Sequence, residues 1–157
     1  MALTYHHFDS KEHFALEVVG RYMDEVHRGL DSTLNRPDRP PLDRVHDFFE
    51  LPAEKYRTQG NLGCLLGAVG QELAGINDTF RLRIEACLTA IVDRVAACLE
   101  KASARGDIKP DTDTRALAAR LLDCWEGAAP RSRLRRDPAP LEAMLDFYFA
   151  QISAIGR

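Results

Sequence analysis

Residues 77–106 read NDTFRLRIEACLTAIVDRVAACLEKASARG, and this stretch decides the fold class. At about 100° per residue, Phe80, Ile84, Cys87, Leu88, Ile91, Val92, Val95, Cys98 and Leu99 fall within an arc of about 140°. An apolar stripe that wide marks a helix covered by other helices. Asn77 or Asp78 offers a side-chain oxygen to the first turn. Gly106 offers the residue that takes a positive φ beyond the last turn.

Outward from this stretch the pattern stays helical. Ser10 caps a helix running to about Leu34, with Val18, Tyr22, Val26, Leu30 and Leu34 at four-residue steps. The prolines at 37, 40 and 41 make the following run a loop. A second helix covers about Pro41 to Thr58, with a kink or break expected at Pro52. A short helix runs from about Gly63 to Leu73. There Gly63, Gly67 and Gly70 leave one face bare, for close helix packing or for a ligand. Thr112 or Asp113 opens a helix carrying Leu117, Leu121, Leu122 and Trp125, which Pro130 kinks or ends. Arg131, Arg133, Arg135 and Arg136 then read as a solvated loop. Asp137-Pro138 opens a last helix to about Ile155. No segment alternates as a strand does. The expected fold is all-α, with about six helices.

The last helix carries more apolar surface than one face needs. Leu141, Met144, Leu145, Phe147, Tyr148, Phe149, Ile152 and Ile155 spread over about 200°. A central position in the fold would explain this, and so would a second copy of the chain. A symmetric dimer is the commoner answer for a terminal helix.

Composition narrows the function classes. The chain has 157 residues, 45% hydrophobic and 29% charged, with a formal net charge of −3. That is one soluble domain, not a strongly basic nucleic-acid binder. No apolar run reaches the ~18 residues of a membrane span, and the start lacks the pattern of a signal peptide. The cysteines at 64, 87, 98 and 124 show no metal-finger spacing and are expected to be reduced thiols in a cytoplasmic protein. The five histidines all precede residue 50, and no serine elbow, phosphate loop or metal-ligand pair is present. No metal, cofactor or catalytic role is expected.

Cys64 follows Gly63 at the start of the short helix. The positive end of the helix dipole would lower its pKa, making it a candidate thiol sensor. The alternative is a small core residue. Cys87 and Cys98 read as core, and Cys124 as core or pocket wall.

Several motifs, in order, resemble one family. Tyr5-His6-His7-Phe8-Asp9-Ser10-Lys11-Glu12 resembles the end of the recognition helix and the start of the connecting helix in TetR-family transcriptional regulators. Gly63-Cys64-Leu65-Leu66-Gly67, Gln71-Glu72, Ala104 to Asp111, Glu126-Gly127-Ala128 and Arg136 to Leu141 resemble the regulatory domain of one branch. That branch includes repressors responding to electrophiles and small organic compounds.

The resemblance implies a TetR-like C-terminal regulatory domain, its last two helices forming a four-helix bundle in a homodimer. Leu121, Leu141, Leu145, Tyr148, Phe149 and Ile152 would then form the dimer interface. An effector cavity would lie between helices, walled by Phe48, Phe49, Tyr56, Cys64, Val69 and Trp125, with Tyr56 and Gln71 orienting the ligand. Without a cavity, most of these would be plain core.

Tyr5, His6 and Lys11 match DNA-contacting positions. Lys11, in a first turn, could share a phosphate with free backbone N–H groups. A complete family member carries further helices upstream. Residues 1–9 are therefore expected to be a remnant of the DNA-recognition helix, and 10–157 a ligand-binding and dimerisation domain that does not bind DNA by itself. The expected function is a TetR-type regulator, a repressor, whose effector controls DNA binding. Its expected partners are a second copy, a small-molecule effector, and operator DNA once the upstream helices are present, with no membrane partner. The alternative is a headless small-molecule-binding or interaction protein that never touches DNA. A thiol-dependent enzyme using Cys64 is a third reading.

Overall fold

The computed structural model describes residues 11–59, 64–73, 75 and 77–155. Their regular structure is helical throughout: α1 (Lys11–Leu34), α2 (Pro41–Gln59), α3 (Leu65–Leu73), α4 (Asp78–Ala104), α5 (Thr114–Arg135) and α6 (Ala139–Ile155). Residues Tyr5 and His6, and the side chains of Lys11 and Tyr56, lie outside what is described.

Asn77 starts α4 as its residue type predicts. Its side-chain oxygen accepts from the N–H groups of Thr79 (2.8 Å) and Phe80 (3.3 Å). A cap of this kind contributes about 1 kcal/mol. Gly106 ends the helix with φ at +81°, a conformation that suits a residue without Cβ. Between these ends the whole apolar stripe is buried except Leu88, which is half-buried. Helices α1, α2, α3 and α5 all pack on α4, and α6 packs on α5 and α2. Each large side chain so buried contributes roughly 1.5–3 kcal/mol relative to leaving it in water.

The core has two parts. The larger joins Leu30 and Leu34 of α1 to Val45 and Phe49 of α2, the C-terminal half of α4, α5 and α6. The smaller joins Val19 of α1 to Leu66 of α3 and Phe80, Ile84 and Cys87 of α4. Val26, Cys64 and Leu88 pack against both parts. Helix α1 therefore leans on one part with each of its halves.

Of the kink or break expected at Pro52 and the kink or end expected at Pro130, the break and the end do not occur. Helix α2 continues through Pro52, and α5 continues through Pro130 to Arg135. A proline inside a helix costs ~3 kcal/mol or more, so tertiary packing must offset that cost. Ala53 follows Pro52 and is fully buried. Ser132, two residues after Pro130, is also fully buried, and its Oγ accepts from the Leu141 N–H of α6 (3.1 Å). Arg131, Arg133 and Arg135 consequently lie on helix rather than in a loop, although all three are exposed. Arg133 and Arg135 complement the negative end of the α5 dipole. Arg136 closes the helix in the left-handed conformation, φ 55°.

The residues expected at a dimer interface are used within one chain. Leu121, Leu141, Leu145 and Ile152 are 0–1% exposed and belong to the larger core part. They have no area left for a partner. Tyr148 and Phe149 are half-buried. The Tyr148 hydroxyl donates to the Leu117 carbonyl (2.6 Å), and the Phe149 ring meets His46 edge-on at 5.1 Å. Among the described residues, the large apolar side chains that α5 and α6 leave exposed are Leu134 (85%) and Phe147 (69%). The 100° step explains the difference: α6 curls half of its apolar arc onto α5 and turns Phe147 outward.

Candidate functional site

Helices α1, α2 and α5, with Ile91 of α4 and the start of α3, enclose a cavity of about 350 Å³. This is the scale of small-molecule sites. Tyr22, Val26 and Gly29 recur along one face of α1 and form one wall. Phe48, Phe49, Leu51 and Pro52 of α2 form a second, and Leu122, Trp125 and Glu126 of α5 a third. Cys64 and Leu66 supply the α3 side. The cavity lies at the seam between the two core parts.

The aromatic walls are fixed by their own contacts. The Trp125 indole N–H donates to the Phe49 carbonyl (3.0 Å), with the rings 6.3 Å apart. Phe48 and Phe49 meet edge-to-face at 5.1 Å. Gly29 brings α1 close to α2: a Cβ there would stand 3.4 Å from Leu51 and 3.6 Å from Phe48. At the wall shared by α1 and α2, Lys55 pairs with Glu25. Both are about half exposed, so this pair contributes at most about 1 kcal/mol.

Polar character inside the cavity comes from Cys64 and Glu126. The Cys64 carbonyl accepts the first backbone bond of α3, from the Ala68 N–H (3.2 Å). Its thiol donates to the Glu126 carboxylate. Burial, then the charge of Glu126, pushes the thiol up to about 12. The N–H groups of Gly67 and Leu66 pull it the other way. The helix-terminus effect expected from the sequence is thus present but outweighed, and the thiolate is disfavoured. Burial also raises the Glu126 carboxyl above the ordinary carboxylate range, and the bond from Cys64 lowers it by less. Among the described residues, Glu126 Oε1 is the buried side-chain oxygen left without a hydrogen-bond partner.

Of the expected cavity residues, the structure brings together Phe48, Phe49, Cys64 and Trp125. Val69 packs instead against the smaller core part. Gln71 is exposed on α3 and points away from the cavity walls. The bare glycine face accounts for this: it turns toward Glu126 and Ile84, which leaves Gln71 to solvent. Cys87 and Cys98 are buried, and Cys98 Sγ donates to the Pro41 carbonyl (3.4 Å). Cys124 is exposed, contrary to expectation, because its neighbour Trp125 takes the inward direction.

Sequence reasoning missed Glu126 as a site residue, along with Tyr22 and Gly29. A signal for Glu126 existed. It lies four residues after Leu122, so a carboxylate interrupts the apolar stripe of α5. Among the described residues no three His, Cys, Asp or Glu are grouped to hold a metal. None of the described helices is long and apolar enough to cross a membrane.

Among the described residues six helices, five of which line a ligand-sized cavity, make an all-helical domain. The chain belongs to the TetR family: residues 41–148 match the model of the tetracyclin repressor-like C-terminal domain. It is 30% identical to the HTH-type transcriptional repressor DhaR of Mycobacterium sp. (strain GP1), over 92% of this chain and 72% of DhaR. It is 33% identical to the transcriptional regulator AcuR of Cereibacter sphaeroides, over 88% of this chain and 64% of AcuR. The crystal structure of the regulatory protein TetR from Rhodobacter sphaeroides superposes with a TM-score of 0.87 at 31% identity, covering 94% of this chain and 78% of that one. The reduced form of Escherichia coli NemR shares the fold, with a TM-score of 0.78 at 21% identity. The relatives are transcriptional regulators.

Proposed function

We propose that this chain is the effector-binding and dimerisation region of a TetR-type repressor, and that a small organic molecule in the α1–α2–α5 cavity controls DNA binding by the regulator. The observation that carries this reading is the position of the cavity. It sits where the two halves of α1 pass from one core part to the other, with Tyr22, Val26 and Gly29 in its wall. A molecule there competes with the packing that sets the direction of the N-terminal half of α1. That half follows residues 5–12 in the chain, whose sequence resembles the end of a DNA-reading module. A ligand moves such an equilibrium only by binding one arrangement better than the other. Operator DNA is the partner of the form that carries a complete helix-turn-helix. Dimerisation would use the exposed apolar positions of α5 and α6.

Trp125 is the chain's single tryptophan and lies in the cavity wall, so its fluorescence reports occupancy. The test pairs this signal with gel retardation of upstream DNA by the native gene product. A compound that shifts Trp125 emission should also release that DNA. DNA retention untouched by every compound that occupies the cavity would refute the reading.

A further inference from the structure

The cavity has one electrostatic peculiarity. Its walls are mostly aromatic and aliphatic, and its titratable groups are Tyr22, Glu25, Lys55, Cys64 and Glu126. Glu25 and Lys55 pair with each other. The Cys64 thiol keeps its proton at neutral pH and donates to Glu126. The Glu126 carboxylate is therefore the acid with no cation beside it, and its Oε1 has no donor at all. A buried acceptor left unmatched costs about 1–3 kcal/mol, and more when it is charged.

The site also makes room for this carboxylate. A Cβ at Gly67 would collide with Glu126 Oε2. The glycine lets α3 approach while the carboxylate stays in place between α3 and α5. Phe48, Phe49 and Trp125 stand around the same space. Aromatic faces attract a cation by their quadrupole, and more strongly away from water.

We infer that the effector of this cavity is a small amine: an apolar body carrying one N–H-bearing cationic group that donates to Glu126 Oε1. This deepens the proposed effector role and rests on it. A carboxylic acid ligand would place a second negative charge against Glu126. A purely apolar ligand would leave Oε1 unmatched.

The experiment titrates the 157-residue chain at neutral pH with four probes of one shape: phenethylamine, phenethyl alcohol, 3-phenylpropionate and ethylbenzene. Trp125 emission and thermal unfolding are both read. The expected order places the amine first, at least roughly tenfold tighter than the carboxylate. In Glu126→Gln the amine should lose about tenfold or more, while ethylbenzene binds as before or better. Ethylbenzene binding in the variant shows that the cavity still forms, and the wild-type order stands independently of the variant. Equal or tighter binding of the carboxylate overturns the inference and leaves the effector cavity standing. So does amine affinity unchanged in Glu126→Gln. Failure of all four probes to bind overturns both the inference and the cavity's effector role.

Discussion

Gly67 of α3 leaves open the space that the carboxylate of Glu126, on α5, occupies; any Cβ at that position would overlap Oε2. Two residues fifty-nine positions apart in the chain are thus matched in size, and the match places an acid beside the Cys64 thiol.

Gly67→Ala is expected to fold. The atom it displaces is the end of a flexible side chain, and alanine gains up to about 1 kcal/mol of helix propensity over glycine. The consequence should be local. Glu126 moves, the thiol loses the acid that raises its pKa, and Cys64 alkylates faster than in the wild type. Unchanged Cys64 reactivity, with a midpoint in urea close to wild type, would show that the carboxylate does not sit against Gly67.

The cysteines should separate sharply in reactivity. Cys124 is exposed, whereas burial and Glu126 push Cys64 up to about 12. Iodoacetamide near neutral pH, followed by peptide mass spectrometry, should label Cys124 first. Cys64 should follow much later, together with the buried Cys87 and Cys98. Cys64 reacting as fast as Cys124 would restore the thiolate-sensor reading.

Glu126 gives stability a defined pH dependence. Its folded-state pKa is raised, so the native state holds the proton to higher pH than the unfolded chain. The contribution is fully present below the unfolded value, about 4.3. It is lost as pH rises through the folded value. Glu126→Gln removes this term. The stability of wild type minus variant should therefore fall as pH rises above the unfolded value. Denaturant melts of both proteins below and above that value test it, and a difference that stays level or grows would contradict the burial of this carboxyl.

The proposed dimer surface and the protomer core can be separated by two substitutions. Phe147 is 69% exposed, so Phe147→Glu should change protomer stability by no more than about 0.5 kcal/mol. It should still lower the mass seen by light scattering at micromolar concentration. Leu141 is fully buried, and Leu141→Ala should cost about 2–5 kcal/mol by creating a cavity. An unchanged dimer mass in Phe147→Glu would move the interface elsewhere.

The helices were legible because their causes are local. The stripe from Phe80 to Leu99, the Asn77 cap and the Gly106 stop each follow from side-chain spacing and backbone preference within a few residues. The chain's sequence also placed Phe48, Phe49, Cys64 and Trp125 near one another by their family pattern, and the structure gathers them around one cavity. Local rules left open whether Pro52 and Pro130 would kink or end their helices, because whether a helix survives a proline depends on what packs on either side of it. Nor did they say that Leu121, Leu141, Leu145 and Ile152 would be buried within one chain. An apolar residue is equally at home in a core or an interface, and only the path of α6 over α5 decides which.

The tertiary structure alone settled the character of the site. Periodicity shows that Glu126 interrupts an apolar stripe, but not that Gly67 and Cys64 will come to meet it from α3. A thiol at a helix start has a lowered pKa by its local dipole. Burial and a carboxylate brought from another helix reverse the sign. The short-range effect is written in adjacent residues, whereas desolvation and charge proximity exist only once distant segments have packed.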